Sequence, residues 1–125
     1  MQKNASRDLA AYVVWVPELG AETRHVPPAM KLVPDERARH YWDGGEIVGK
    51  QYEALFKLNR IAWDAYLLFP PGVRWEAAGV PSPDFWMHQM SRVKEAPMLV
   101  PKVFAAEVAK RTQATPQVPK PTGVR

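Results

Sequence analysis

The chain has 125 residues, 46% of them hydrophobic and 24% charged, which is the composition of one folded domain and too short for two. It contains no cysteine, so disulfides, thiolate nucleophiles and Cys-ligated zinc or iron–sulfur centres are excluded. The net charge of +4 is uneven: residues 92–125 hold seven Lys or Arg against two Glu, leaving the remainder near neutral, so no nucleic-acid surface is expected on the body.

Leu9 to Val16 reads as a strand buried on both faces, an apolar run closed by Pro17. Lys3 and Arg7 ahead of it faintly imitate a signal peptide, but Asp8 heads the run and no small-residue cleavage site follows. With no segment near 18 apolar residues, a soluble cytoplasmic protein without membrane contact is expected. Pro17 to Gly20 turns the chain. A short helix is predicted over Val26 to Val33, with Pro27 and Pro28 in its first turn and Ala29, Met30, Leu32 and Val33 buried. Arg37 to Asp43 alternates as a half-exposed strand: Arg37, Arg39 and Tyr41 on one face, Ala38, His40 and Trp42 on the other.

Asp43-Gly-Gly-Glu46 has the form of a capping box ahead of a helix over Glu46 to Leu58. Val48, Tyr52 and Leu55 form its buried stripe, flanked by Ile47, Ala54 and Leu58. Ile61 to Phe69 is predicted as the central strand, and Val73 to Ala77 as its antiparallel partner across Pro70-Pro71-Gly72. Ser82-Pro83-Asp84 signals a helix start, giving a last body helix through Phe85 to Met90. The domain is expected to close near residue 93. Beyond it lies a basic, proline-rich extension over 94–125, with a short helix near Val103 to Lys110 and a disordered end.

This order of strand, helix, strand, helix, strand, hairpin strand and helix resembles the thioredoxin-like superfamily. The closest stretch is Arg60-Ile-Ala-Trp-Asp-Ala-Tyr-Leu-Leu-Phe-Pro-Pro-Gly-Val-Arg-Trp75, with Asp35 to Asp43 and the following helix most similar to the peroxiredoxin and membrane-tethered branches. The resemblance covers about residues 9–91 and implies an α/β fold with a mixed sheet of about four strands flanked by helices. The family's Cys-x-x-Cys centre is missing, and its facing proline falls near Ala62, where there is none. In one register Val14 to Leu19 replaces the active-site turn. In the other, which the similarity of 35–43 to the later half of peroxiredoxin-like domains favours, strand 9–16 is the family's second strand and the domain is incomplete at its N-terminus. An unpaired sheet edge then invites a second copy or another protein.

The candidate sites are weaker. His40 and His88 are the metal-ligand candidates, although Asp43 is better explained as a helix cap and Met87 and Met90 as core filling. Asp64 is the candidate perturbed carboxylate, a lone charge in a buried strand with Arg74 as its expected partner. Tyr41, Trp75 and Trp86 are the candidate binding surface. His25 has no evident partner. No phosphate loop, hydrolase triad or zinc-protease motif is present, so no catalytic residue and no cofactor is assigned. The expected role is a redox-inactive interaction or assembly module. The alternatives are a small-molecule or metal-binding domain, and the C-terminal half of a split or truncated thiol oxidoreductase.

Overall fold

The computed structural model describes residues 4–113. Their elements, in chain order, are β1 (Ala11–Trp15), α1 (Val26–Met30), β2 (Ala38–Trp42), α2 (Ile47–Phe56), β3 (Ala65–Leu68), β4 (Phe85–His88) and α3 (Pro101–Gln113), with single 3-10 turns at Glu18–Gly20 and Thr23–His25. The chain is mixed α/β as expected. The single mixed sheet is not observed: β1 pairs with β2 in parallel, β3 pairs with β4 antiparallel, and the two pairs are separate sheets.

β1 and β2 align Ala11 with Ala38 through Trp15 with Trp42. The ladder is extended by Ala11 N–H to Arg37 O at 3.0 Å and by Asp43 N–H to Trp15 O at 2.8 Å. β2 alternates as its sequence predicts, with Ala38, His40 and Trp42 inward and Arg39 and Tyr41 outward. The expectation that β1 is buried on both faces is overturned, because Tyr12 is 61% exposed. It shares the outward face with Tyr41, and the two rings stack at 6.4 Å. Arg37 does not lie exposed beside Arg39. Its guanidinium grips Asp35 through two bonds of 2.9 and 2.7 Å and donates to the carbonyls of Asn4 (2.6 Å) and Ser6 (2.8 Å), fastening the N-terminal segment. The hydrogen bonds from Arg37 hold the Asp35 carboxyl down at about 2. α1 begins with both prolines in its first turn and ends early, leaving Leu32 exposed rather than buried.

α2 is capped by Asp43, whose two carboxylate oxygens accept the Ile47 and Val48 amides at 3.0 and 2.9 Å. Its buried stripe is Val48, Gly49, Tyr52 and Phe56; Leu55, Ile47 and Ala54 face solvent. Gly49 is required by close packing: a Cβ there would lie 2.5 Å from the Ala62 carbonyl oxygen and 2.7 Å from Ile61 Cγ2. Tyr52 donates to the Pro81 carbonyl at 2.9 Å, and Phe56 stacks on Trp86 at 4.2 Å. Tyr52, Leu58, Ala62, Met90 and Val93 form the buried centre.

The second sheet departs most from expectation. Ile61 to Trp63 is not strand, because the Ala62 amide is drawn to the Gly49 carbonyl of α2 at 3.2 Å. Asp64 then turns the chain at φ 50° before β3 starts. The partner of β3 is not Val73 to Ala77 but Phe85–His88, where a helix was predicted. Aromatic Phe85 and Trp86 suit a strand, and Asp84 N–H already donates to Leu68 O at 3.0 Å, so the ladder outweighs the helix-start signal of Ser82-Pro83-Asp84. α3 is longer than predicted. Phe104 lies edge-on to Tyr66 at 5.9 Å and against Phe85 at 6.4 Å, so residues beyond 93 pack on the body. The proline-rich end over 114–125 lies outside the described residues.

Two outcomes test this packing. Gly49→Ala is expected to destabilise the protein by about 1–3 kcal/mol through overpacking against the Ala62 carbonyl. A denaturant midpoint equal to wild type would contradict it. Because the folded Asp35 carboxyl sits at about 2 against an ordinary 3.8, its stabilising pairing is complete above that ordinary value and is lost as pH falls towards 2. The stability difference between wild type and Asp35→Asn should therefore be constant near neutrality and shrink in acid, as read by denaturation at a series of pH values.

Candidate functional site

The sequence candidates do not converge. His40 sits on the inward face of β2, half-buried, where Nδ1 accepts the Trp15 indole N–H at 3.1 Å and the two rings lie nearly parallel. Neutral His40 therefore carries its proton on Nε2. His88 ends β4 in the other sheet and has 0% exposure. Its Nδ1 accepts the Met90 amide at 3.0 Å, which places the proton on Nε2, and Nε2 donates to the Ala96 carbonyl at 2.9 Å. Both His88 nitrogens are thus committed to backbone, and a metal there would displace one of those bonds. Among the described residues, no three or more His, Asp or Glu gather as a metal-ligand group. His25 does have a partner, the Glu22 amide, which its Nδ1 accepts at 2.9 Å.

Asp64 lies at the bend before β3, not inside a buried strand. Its carboxylate accepts the Tyr66 hydroxyl at 3.0 Å and makes no ion pair with Arg74, which is exposed in the 69–84 loop. Burial, then this bond, raises the Tyr66 hydroxyl above its ordinary value. The aromatic candidates divide likewise. Trp86 stacks on Phe56 and belongs to the packing around α2, whereas Trp75 stands edge-on to Tyr52 and Phe69 and is still 43% exposed. Tyr41 lies on an open face of the first sheet, 49% exposed beside Tyr12.

Sequence reading missed a pair of carboxylates. Glu18 follows β1, and Glu46 stands between β2 and α2, so the parallel pairing places both beyond the carboxyl ends of the strands, where α/β sheets bind ligands. A hydrogen bond with the Glu46 side chain raises the Glu18 carboxyl above its ordinary value; partial burial and the Glu46 charge act the same way, and the Arg60 charge opposes them. Glu46 makes no side-chain cap bond, so the expected capping box with Asp43 is not completed. Leu19 and Glu46 also hold left-handed backbone, at φ 53° and 54°, a conformation costly for residues with a side chain. Each carboxylate looked like a turn residue by itself. The signal lay in pairing strands 9–16 and 37–43 in parallel, which brings the residues after each to one edge.

No family model, curated protein or solved structure matches the chain. No helix among the described residues is long and apolar enough to cross a membrane.

Glu46→Gly removes both the left-handed strain and the like-charge contact, and is expected to raise stability by about 0.5–1 kcal/mol at neutral pH. A raised folded-state carboxyl contributes stability below its ordinary range and loses it as pH rises, so the gain should be smaller in acid. Carbon-detected NMR titration of Glu18 should show its midpoint falling towards the ordinary value in this variant. An unchanged midpoint would refute the pairing.

Proposed function

We propose that this chain is a redox-inactive thioredoxin-like domain that acts by protein–protein contact, with a second copy of itself as the partner on the outward face of β1 and β2. One observation carries this reading. Parallel sheets ordinarily have both faces covered, yet this parallel pair leaves Tyr12, Arg39 and Tyr41 exposed on one face. The pair also has no further strand on either edge among the described residues. Tyrosine suits such a surface, since it supplies a large apolar area and a hydroxyl at low entropic cost. In a two-fold arrangement each copy meets the same face of the other, so four tyrosine rings would be withdrawn from water.

The thioredoxin-like assignment draws support from the element order strand, helix, strand, helix, strand, strand, helix, with the first two strands parallel and the last two antiparallel. That order favours the register in which Val14 to Leu19 occupies the family's active-site turn. Glu18 then stands where the dithiol would be, and without cysteine the chain has no thiol–disulfide chemistry of its own.

Sedimentation equilibrium tests the assembly. Wild type is expected to reach twice the chain mass as concentration rises. Tyr12→Ser with Tyr41→Ser is expected to weaken association by at least about 100-fold while keeping its circular-dichroism spectrum. A wild-type chain that stays monomeric at millimolar concentration would overturn the proposal.

A further inference from the structure

The most enclosed polar group among the described residues is the imidazole of His88, and it fastens one part of the chain to another. Its own backbone accepts the Leu99 amide at 2.8 Å and donates to the Pro97 carbonyl at 3.3 Å, a parallel bridge with Met98. Its ring spans the connecting turn, with Nδ1 on the Met90 amide and Nε2 on the Ala96 carbonyl. Three of these bonds hold 96–99 against β4, the fourth closes the turn at Met90, and α3 begins two residues after Leu99. By contrast, the polar ties from α3 to the start of β4 are partly exposed: Arg111 reaches Asp84, just before the strand, at 3.1 Å and lies over Phe85 at 5.6 Å.

We propose that His88 is a proton-operated latch, and that a proton taken up at Nδ1 releases residues 96–113 from β4 while the β1–β2 pair stays folded. The acceptor at Nδ1 would become a donor facing the Met90 N–H, leaving two donors opposed in a space closed to water. The new positive charge would also have no carboxylate to meet. Opposite His88 on β3 stands Ala65; neighbouring Asp64 is bonded to the Tyr66 hydroxyl. On the following turn Arg92, Lys94 and Glu95 are exposed, with the Glu95 carboxylate accepting the Lys94 amide. On α3, Lys102 is exposed and Glu107 is held by Lys110 and Arg111. The Trp86 ring, tilted at 5.7 Å, is the aromatic neighbour. Release uncovers Phe85 and Tyr66, which Phe104 otherwise contacts. The latch is independent of the proposed self-association.

NMR on the full chain between pH 7.5 and 5, the interval in which histidine changes charge, tests the latch. Ring nitrogen shifts should show the Nε2–H form of His88 at the upper end. As His88 protonates, the Leu99 and Met90 amides should exchange on the order of 100-fold faster after correction for intrinsic rates. The Asp43 amide, bonded to Trp15, should not change. In His88→Gln, which takes up no proton in this interval, the acceleration should vanish; if that variant does not fold, the wild-type titration decides alone. The proposal is overturned if His88 protonates with Leu99 still protected, or if it stays neutral throughout. It is equally overturned if Asp43 and Leu99 lose protection together, or if His88→Gln shows the same release.

Discussion

The contact between Gly49 and the Ala62 carbonyl is the constraint on which the rest of the molecule depends. Only a residue without a side chain lets α2 approach that carbonyl, and the approach is close enough for the Ala62 amide to bond back to Gly49 at 3.2 Å. Seated there, α2 presents Tyr52 to the 69–84 loop and Phe56 to Trp86 of β4. Its first turn is held by Asp43, whose own amide closes the β1–β2 ladder on Trp15. One ten-residue helix thus ties to the end of the first sheet through Asp43 and to the second through the Phe56–Trp86 stack, while no strand of one sheet pairs with a strand of the other. Short two-stranded sheets are marginal alone, so this bridge gives each of them something to pack on.

Features governed by near neighbours were legible in the sequence. The alternation of β2, the prolines opening α1 and the Asp43 cap all follow from local geometry and appear where expected. Features decided by distant partners were not. Phe-Trp-Met-His is short enough to be helix or strand, and its nearest punctuation, Ser-Pro-Asp, points to helix; the deciding influence is Leu68, across a long proline-rich loop. Likewise the apolar run at 61–69 conceals that Ala62 serves α2 rather than a neighbouring strand. The burial of β1 was overestimated for a related reason, since its apolar side chains imply a covering layer that the described residues do not supply for Tyr12.

The candidate residues show the same division. His88 invites reading as a ligand in sequence, but its ring nitrogens serve the backbone of the chain that follows it. Asp64 and Trp86 are absorbed into a local bond and core packing in the same way. What the fold leaves uncommitted is at the first sheet: the tyrosine face of β1 and β2, and the Glu18–Glu46 pair at its carboxyl edge, beside left-handed backbone at Leu19 and Glu46. The buried core lies around α2 and β4, while the exposed tyrosine rings lie on the parallel pair.

The central claim is that this open face meets its own copy. The most direct measurement is an isotope-filtered NMR experiment on an equal mixture of labelled and unlabelled chains, reading contacts between molecules at the rings of Tyr12 and Tyr41. The account predicts intermolecular signals at both rings that disappear on dilution. Rings at millimolar concentration that show contacts only within their own molecule would contradict it.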